Sequence, residues 1–286
     1  MAQPVSGVVT ISCPDRKGIV ASVTKFLAER GANILDASQH SDLQEQAFFM
    51  RVQFELEGMM ISREEIAPAF EAVASEFEMK WQLHFSDRPK VMAVLVSKLD
   101  HCLYDLLLRQ RAGEFFARIP LIISNHEDMR PVAQNFGIPY EYLPVNPSNR
   151  VEQESAMLEI LQKHRVDLVV LARYMQVLSP RIVQKYPGQI INIHHSFLPA
   201  FVGGRPYHQA YERGVKMIGA TSHYVTEDLD QGPIIAQDVT QVTHRDSVSD
   251  LVRKGRDLER VVLARAVRAH LEDRVLAFGR RTVVFE

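Results

Sequence analysis

Five short, continuous apolar runs separated by helical stretches constrain the fold of this chain more than any other feature. The runs are VMAVLV at residues 91–96, PLIIS at 120–124, YEYLP at 140–144, DLVVLA at 167–172 and QIINIH at 189–194. Such runs in alternation with helices indicate a parallel sheet that is covered on both faces. The second part of the chain is therefore predicted to form a doubly wound, mostly parallel α/β domain. It continues through strand-like runs at 219–225 and 234–240 and a charged helix at about 247–273.

The first 85 residues predict a separate unit with the element order βαββαβ. A β-branched run at 8–11 leads into the turn at 12–18, and apolar residues then recur at helical spacing until Gly31 ends the helix. The remaining predicted elements are a strand at 33–39, a strand at 49–56, a helix at about 63–77 and a strand at 79–85. The polar segment SDRPK at 86–90 is the predicted linker, which gives domains at residues 1–86 and 87–286.

The composition limits the kinds of partner that the chain can have. Its 286 residues are enough for two domains, and its formal net charge of −2 lacks the basic excess that holds nucleic acid. No apolar run approaches the roughly 18 residues that span a bilayer, and the N-terminus has no signal-peptide pattern. Cys13 and Cys102 are too few for a disulfide framework or a zinc site. We therefore expect a cytoplasmic protein with no nucleic-acid partner, no membrane partner and no metal.

The ligand edge of the predicted sheet carries an asparagine and a histidine two positions apart. Asn192 and His194 end the fifth apolar run, and side chains at i and i+2 of a strand point to the same face. Ligands of such sheets bind outside the carboxyl ends of the strands. Asp230 lies in the turn-rich segment EDLDQGP at 227–233. An amide, an imidazole and a carboxylate are groups that acyl transfer uses to stabilise an oxyanion and to move a proton.

Spacing alone does not establish a catalytic role for this trio, because a strand-end asparagine or histidine is more often structural and an acidic turn is usually only solvated. The surrounding motifs, however, resemble the 10-formyltetrahydrofolate formyltransferase superfamily. INIHHSFLP at 191–199, His223 in the next predicted strand and LDQGPII at 229–235 stand in the family's order, and the likeness extends over residues ~90 to 240. The resemblance implies a Rossmann-like formyltransferase domain in which Asn192, His194 and Asp230 are catalytic.

The segment LARYMQVL at 171–178 resembles the pterin-binding loop of that superfamily, LAG[FY]MRIL. Arg173 stands where the family has glycine, and Gln176 where it has arginine, so we expect backbone groups of the loop to bind the pterin. The implied folate-binding residues are Met175, Gln176, Val177, Leu178 and Thr226. The folate is then the substrate, and no cofactor is implied.

The N-terminal βαββαβ unit, with PDRKGI at 14–19, resembles an ACT domain, a ferredoxin-like module that senses small molecules. Its loop precedes the first helix, whose N-terminal amides could hold a carboxylate. The implied effector loop comprises Asp15, Arg16, Gly18 and Ile19, and the implied effector is an amino acid such as glycine or methionine. ACT pairing implies a homo-oligomer, for which we expect a tetramer. The alternative is that the loop is only a strand-to-helix turn in a domain that serves assembly.

The acceptor side resembles the deformylase branch of the superfamily, in which the formyl group passes to water. The turn SKLDHCL at 97–103 has no glycine, whereas transferases with phosphorylated acceptors have a glycine-rich turn there that cradles the phosphate through backbone amides. The deformylase branch is also resembled by a second histidine, His195, and by the segment GRPYHQA at 204–210. The implied acceptor-side residues are Ser97, His101, His195, Arg205, Tyr207 and His208.

The expected reaction is hydrolysis of 10-formyltetrahydrofolate, a linear amide, to formate and tetrahydrofolate, which balances one-carbon pools and supplies formate for purine biosynthesis. Asp230 is expected to orient and deprotonate the water, while Asn192 and His194 stabilise the oxyanion. One alternative is transfer of the formyl group to a small amine such as glycinamide ribonucleotide. A second is an amino-acid-binding regulator without activity. For His195 and His208, a packed or solvated position with no part in the reaction is as compatible with the sequence as a place in the acceptor pocket.

Overall fold

The computed structural model describes residues 5–200 and 206–286, which form two compact units. The first unit extends to Pro89 and includes the tail segments Glu272–Leu276 and Val283–Glu286. The second comprises Lys90–Leu271 and Ala277–Thr282. The functional domain limits at 1–86 and 87–286 stay a prediction. No helix among the described residues is both long and apolar enough to cross a membrane.

The first unit is a four-stranded antiparallel sheet with two helices. In chain order its elements are β1 (Ser6–Pro14), α1 (Ile19–Ala28), β2 (Ile34–Asp42), β3 (Ala47–Glu55), α2 (Arg63–Glu76) and β4 (Lys80–Phe85). The strands lie in the order β2-β3-β1-β4, which confirms the predicted βαββαβ fold. Its core joins the strands to both helices, with the rings of Phe26 in α1 and Phe70 in α2 5.1 Å apart in an edge-to-face arrangement.

The second unit is built on a larger, mixed sheet. Its elements are β5 (Lys90–Val96), α3 (His101–Arg111), β6 (Ala117–Arg118), β7 (Ile122–Ser124), α4 (Arg130–Phe136), β8 (Tyr140–Tyr142), α5 (Arg150–Lys163), β9 (Leu168–Leu171), α6 (Pro180–Lys185), β10 (Ile190–His194), α7 (Pro206–Glu212), β11 (Met217–Tyr224), β12 (Ile234–Gln241) and α8 (Val248–Leu271). The main strand order is β12-β11-β10-β9-β5-β7-β8.

The five predicted apolar runs correspond to the parallel strands β10, β9, β5, β7 and β8, and β11 and β12 extend the sheet in antiparallel register. The prediction of a mostly parallel sheet is therefore confirmed. Ala93, Val94 and Leu95 in β5 are fully buried because helices cover both faces of the sheet. The sequence did not indicate β6 or the terminal hairpin β13 (Val275–Phe278) and β14 (Arg281–Val284).

The topology determines where the ligand edge of this sheet lies. The parallel strands β5, β9 and β10 run in the same direction, so the segments after Val96, Leu171 and His194 leave the sheet at one edge. The 24-residue helix α8 carries a buried stripe that is apolar except at Glu259, whose side chain is 1% exposed. An almost fully buried carboxylate in such a stripe requires hydrogen-bonding partners.

Candidate active site

Asn192 and His194 lie at the carboxyl end of β10 and beside the antiparallel strand β11. In this pairing Asn192 stands opposite His223 and His194 opposite Thr221. His194 is buried with 5% of its surface exposed, whereas Asn192 is partly buried. The i, i+2 spacing thus places the amide and the imidazole at the ligand edge, as expected for a strand.

The loop between β11 and β12 returns over β10 and brings Asp230 to His194. The Asp230 carboxylate lies 3.3 Å from Nδ1 of His194 and 3.7 Å from Nε2 of His223. Asp230 has a left-handed backbone with φ 54°, which aspartate tolerates better than most residues. A Cβ atom on Gly232 would lie 1.7 Å from the carbonyl oxygen of Tyr224, so only glycine lets the loop pass this close to the end of β11.

The two histidines determine the charge state of Asp230. A hydrogen bond from His194 and the nearby ring of His223 hold the pKa of Asp230 well below its usual range, although partial burial acts in the opposite direction. The carboxylate is therefore ionised at neutral pH.

His223 fixes the orientation of the Asn192 side chain. Its Nδ1 lies 2.9 Å from the Tyr224 carbonyl oxygen, which can only accept, so Nδ1 carries a proton. Nε2 lies 3.3 Å from Nδ2 of Asn192 and accepts a hydrogen bond from that amide. The second amide hydrogen of Asn192 can then bind a substrate oxygen. The sequence placed His223 in the motif but gave it no role, because only the register of β10 and β11 shows which residue it faces.

One ring nitrogen of His194 can also reach a substrate. Nδ1 faces Asp230, whereas Nε2 is buried and has no hydrogen-bond partner in the part of the chain that the structure describes. A buried ring nitrogen that lacks a partner suits a bound polar atom. The arrangement can place two donors on one carbonyl oxygen beside an ionised carboxylate.

The loop predicted to bind the pterin leaves the sheet beside Asn192, since Leu171 of β9 is the register partner of Asn192. Arg173 adopts φ 63°, in the left-handed region that glycine populates most readily. Met175 and Val177 expose 59% and 53% of their surface, Leu178 is buried, and Gln176 is partly buried. Two exposed apolar side chains at this edge suit a flat ring.

Ser97, predicted on the acceptor side, holds this loop. The Met175 backbone N–H donates to the Ser97 hydroxyl at 2.9 Å, and that hydroxyl donates to Oδ1 of Asn125 at 2.7 Å. The Ser97 backbone N–H donates to the Arg173 carbonyl at 3.3 Å. The remaining predicted loop residue, Thr226, is exposed, and its hydroxyl donates to the Asp228 carbonyl.

Three of the other predicted acceptor-side residues lie together. The His195 ring is 5.2 Å from that of His194 and 6.2 Å from that of Tyr207. Burial and the charge of Arg173 lower the pKa of His195 to about 4, so it is neutral at pH 7. His101 and Tyr207 meet at Glu259, a residue that the sequence analysis missed because it lies in a helix distant in sequence.

Two predicted acceptor-side residues are not part of this group. His208 is exposed on α7, and Arg205 lies outside the described residues. Among the predicted effector residues of the first unit, Ile19 is buried in the core, while Asp15, Arg16 and Gly18 are exposed. Arg16 forms an ion pair with Glu78, and Gly18 adopts φ 96° immediately before α1.

Within the described residues, one group could offer three ligands to a metal. Ligand atoms of His101, Cys102 and Glu259 lie within 4.8 Å of one another. Nε of Arg173 is only 3.4 Å from the same Glu259 carboxylate, and this positive charge disfavours a bound cation. Burial also raises the pKa of the Cys102 thiol well above its usual range, which disfavours the thiolate that binds metals.

Two family models match the chain. Residues 90–267 match the formyl transferase model, and residues 7–58 match the ACT domain model.

Individual proteins also resemble this chain, two of them over nearly its full length. A formyltetrahydrofolate deformylase from Synechocystis is 52% identical, and the match covers 99% of both chains. The crystal structure of a formyltetrahydrofolate deformylase from Pseudomonas syringae pv. tomato aligns with a TM-score of 0.97 and 48% identity, covering 99% of this chain and 95% of that one. A glycinamide ribonucleotide transformylase from Symbiobacterium toebii is 33% identical with a TM-score of 0.66, covering 72% of this chain and 98% of that one.

Proposed function

The chain belongs to the formyltetrahydrofolate deformylase family, and we propose that Asn192, His194 and Asp230 carry the reaction. It hydrolyses 10-formyltetrahydrofolate and releases formate and tetrahydrofolate. The observation that supports the residue assignment best is the contact of His194 with the ionised Asp230, which leaves Nε2 of His194 buried and without a partner among the described residues.

Asn192 and His194 stabilise the oxyanion that forms when water attacks the formyl carbon. The free amide hydrogen of Asn192 and Nε2 of His194 face the carbonyl oxygen of the substrate. Because His223 already holds the amide, little reorganisation is needed as charge develops. Loss of one such donor commonly reduces turnover by about 10²–10³.

The His194–Asp230 pair moves the proton. Attack of water on the formyl carbon releases one proton, and cleavage of the bond to N10 requires one. A carboxylate whose pKa is lowered by its histidines is a weak base on its own. It accepts the proton of the water as His194 gives the proton of Nε2 to N10, because loss of the positive charge on His194 raises the pKa of Asp230. The pair keeps its number of protons through these steps, and passage of the proton from Asp230 to His194 restores the starting state.

The folate binds along the loop after β9. Backbone groups of Met175 to Leu178 bind the pterin, and the exposed side chains of Met175 and Val177 pack on its face. Ser97 and Asn125 fix the start of this loop, which supports a preformed site.

The ACT domain binds a small-molecule effector, which we take to be an amino acid. The carboxylate of this amino acid would lie at the exposed loop of Asp15, Arg16 and Gly18. Ile19 would not contact the effector and would only support the loop from the core, because 1% of its surface is exposed. The free, buried Cys13 and Cys102 fit the cytoplasmic location that we propose for the enzyme.

An assay of formate release without any amine acceptor tests the proposal. Purified protein is given 10-formyltetrahydrofolate, and formate is measured with and without glycinamide ribonucleotide. Hydrolysis predicts rapid release that the amine does not accelerate. Release only in the presence of the amine would instead support a transferase.

A further inference from the structure

Glu259 is a buried carboxylate that the reaction described above does not use. It lies in the middle of α8, and its side chain is 1% exposed. Nε2 of His101 donates to one carboxylate oxygen at 2.7 Å, and the Tyr207 hydroxyl donates to the other at 2.6 Å. Nε of Arg173 lies 3.4 Å from the oxygen that His101 binds. Both oxygens are therefore held by positive or donating groups.

The three groups that hold this carboxylate come from the ligand edge of the sheet. His101 begins the helix after β5, Arg173 lies just after β9, and Tyr207 lies in α7, which follows β10. The carboxyl edge of a parallel sheet is where anionic ligands usually bind. Here a side chain of the protein itself occupies a position of that kind.

The charges of the cluster agree with a bound anion. Burial raises the pKa of Glu259, but the His101 hydrogen bond and the Arg173 charge outweigh it and leave the pKa lowered, so the group is ionised. Burial and the negative charge of Glu259 raise the pKa of Tyr207 far above its usual range, so its hydroxyl stays protonated and donates.

A glycine in helix α8 lets the Tyr207 ring pack closely against the helix. A Cβ atom on Gly255 would lie 2.1 Å from the Tyr207 hydroxyl oxygen, so the ring approaches the helix only because this residue is glycine. Glu259 is one turn further along the same face and accepts the hydroxyl hydrogen. Tyr207 in turn lies beside His195, which contacts His194. The cluster thus adjoins the proposed reaction centre.

We propose that Glu259 is a specificity-determining residue: its carboxylate occupies an anion-binding position formed by His101, Arg173 and Tyr207, and thereby keeps anionic acceptors out of the acceptor side. Water, which is small and uncharged, is not excluded in this way. By holding the three side chains, Glu259 also positions the acceptor side. The inference rests on the function proposed above.

Substitution E259A combined with added acetate tests this inference. The substitution removes a group with the size and charge of acetate and leaves its three partners. We expect kcat to fall roughly 10–100-fold, as for a misplaced active-site group, and acetate to restore most of it in a saturable manner. Inorganic phosphate should compete with that rescue.

Two variants serve as controls. D167A removes a carboxylate that accepts a hydrogen bond from the backbone N–H of Val91 at the opposite edge of the sheet, and acetate should not change its activity. E259Q keeps the volume but not the charge. It should show a lowered kcat with an unchanged KM for 10-formyltetrahydrofolate and no response to acetate.

Folded E259A that fails to respond to acetate would overturn the inference. If E259A does not fold, E259Q tests the inference instead. A wild-type kcat in E259Q would equally overturn the inference. Failure of the proposed catalytic trio has a different signature, which is unimpaired formate release by D230N in the same assay.

Discussion

At the scale of single residues, Asp230 combines an uncommon backbone conformation with an uncommon charge state. Its φ of 54° and its two histidine contacts place the carboxylate between His194 and His223. Asparagine adopts the left-handed region as readily as aspartate. The substitution D230N therefore removes the charge while keeping the backbone.

The charge of Asp230 predicts a defined pH dependence of stability. A carboxylate whose pKa is lowered on folding stabilises the native state above its unfolded pKa of about 3.9, and this stabilisation is lost as the pH falls through the lower folded value. The Tm of the wild type should therefore exceed that of D230N by a constant amount from pH 8 to about pH 5. The difference should shrink below about pH 4. Thermal unfolding measured across this range checks it, and a difference that grew on acidification would contradict the assignment.

His223 is predicted to affect turnover mainly through Asn192. N192A should lower kcat by about 10²–10³, and H223A by less, since the amide would still be present but less well oriented. In the N192A background, H223A should have little further effect, because residues that act as one unit are not additive. Steady-state kinetics of the four proteins give the coupling. Fully additive losses would show that His223 has an independent role.

The sequence predicted part of this site for a clear physical reason. Asn192 and His194 are two apart on one strand, so strand geometry alone places them together. Asp230 came from a resemblance of motifs. His223 and Glu259 depend on antiparallel register and helix packing, neither of which a local pattern reveals. The assignment of Ser97 to the acceptor side missed its hydrogen bond to Met175, in the loop proposed to bind the folate, for the same reason.

At the scale of elements, α8 combines a glycine and an ionised glutamate within one buried stripe. Glycine inside a helix costs roughly 1 kcal/mol relative to alanine, so its presence requires a compensating contact. The Tyr207 ring supplies that contact, because no side chain at position 255 could coexist with it.

The effect of G255A on the stability of the fold should therefore have opposite signs in the wild type and in Y207A. In the wild type it should destabilise the fold by about 1–3 kcal/mol through overpacking against Tyr207. In a Y207A protein the ring is gone, and the same substitution should stabilise by about 1 kcal/mol through helix propensity. Chemical denaturation of the four proteins measures both values. Destabilisation of equal size in both backgrounds would refute the packing explanation.

The limits of sequence patterns also appear at this scale. Apolar runs and helical periodicity located the strands of both sheets, because each run is long enough to show its period. The strand β6 has two residues, and the strands of the terminal hairpin contain no buried residue, so they lack the continuous buried apolar runs that mark strands such as β5 and β9.

At the scale of the whole molecule, the chain joins an ACT domain to a formyl transferase domain. The fold of each unit follows from the order of its elements, and both were predicted from it. The tail segments that group with the first unit were not predicted, because contacts between distant parts of the sequence leave no local pattern.

The ACT domain leads us to propose a homo-oligomer, and a tetramer in particular. Light scattering coupled to gel filtration should give four times the 32.5-kDa mass of the chain. The mass should not change with protein concentration in the micromolar range. A mass of one chain would refute the proposal, and a dimer would refute its tetrameric form.

Formate release by D230N without an amine acceptor tests the central claim most directly. The wild type should release formate rapidly. D230N should bind the folate with similar affinity, because Asp230 contacts His194 and His223 rather than the loop proposed to bind the pterin, and should lose about 10²–10³ or more in turnover. Tight folate binding with almost no formate is the predicted result. Turnover at the wild-type rate would contradict the assignment of Asp230 and with it the proposed proton path.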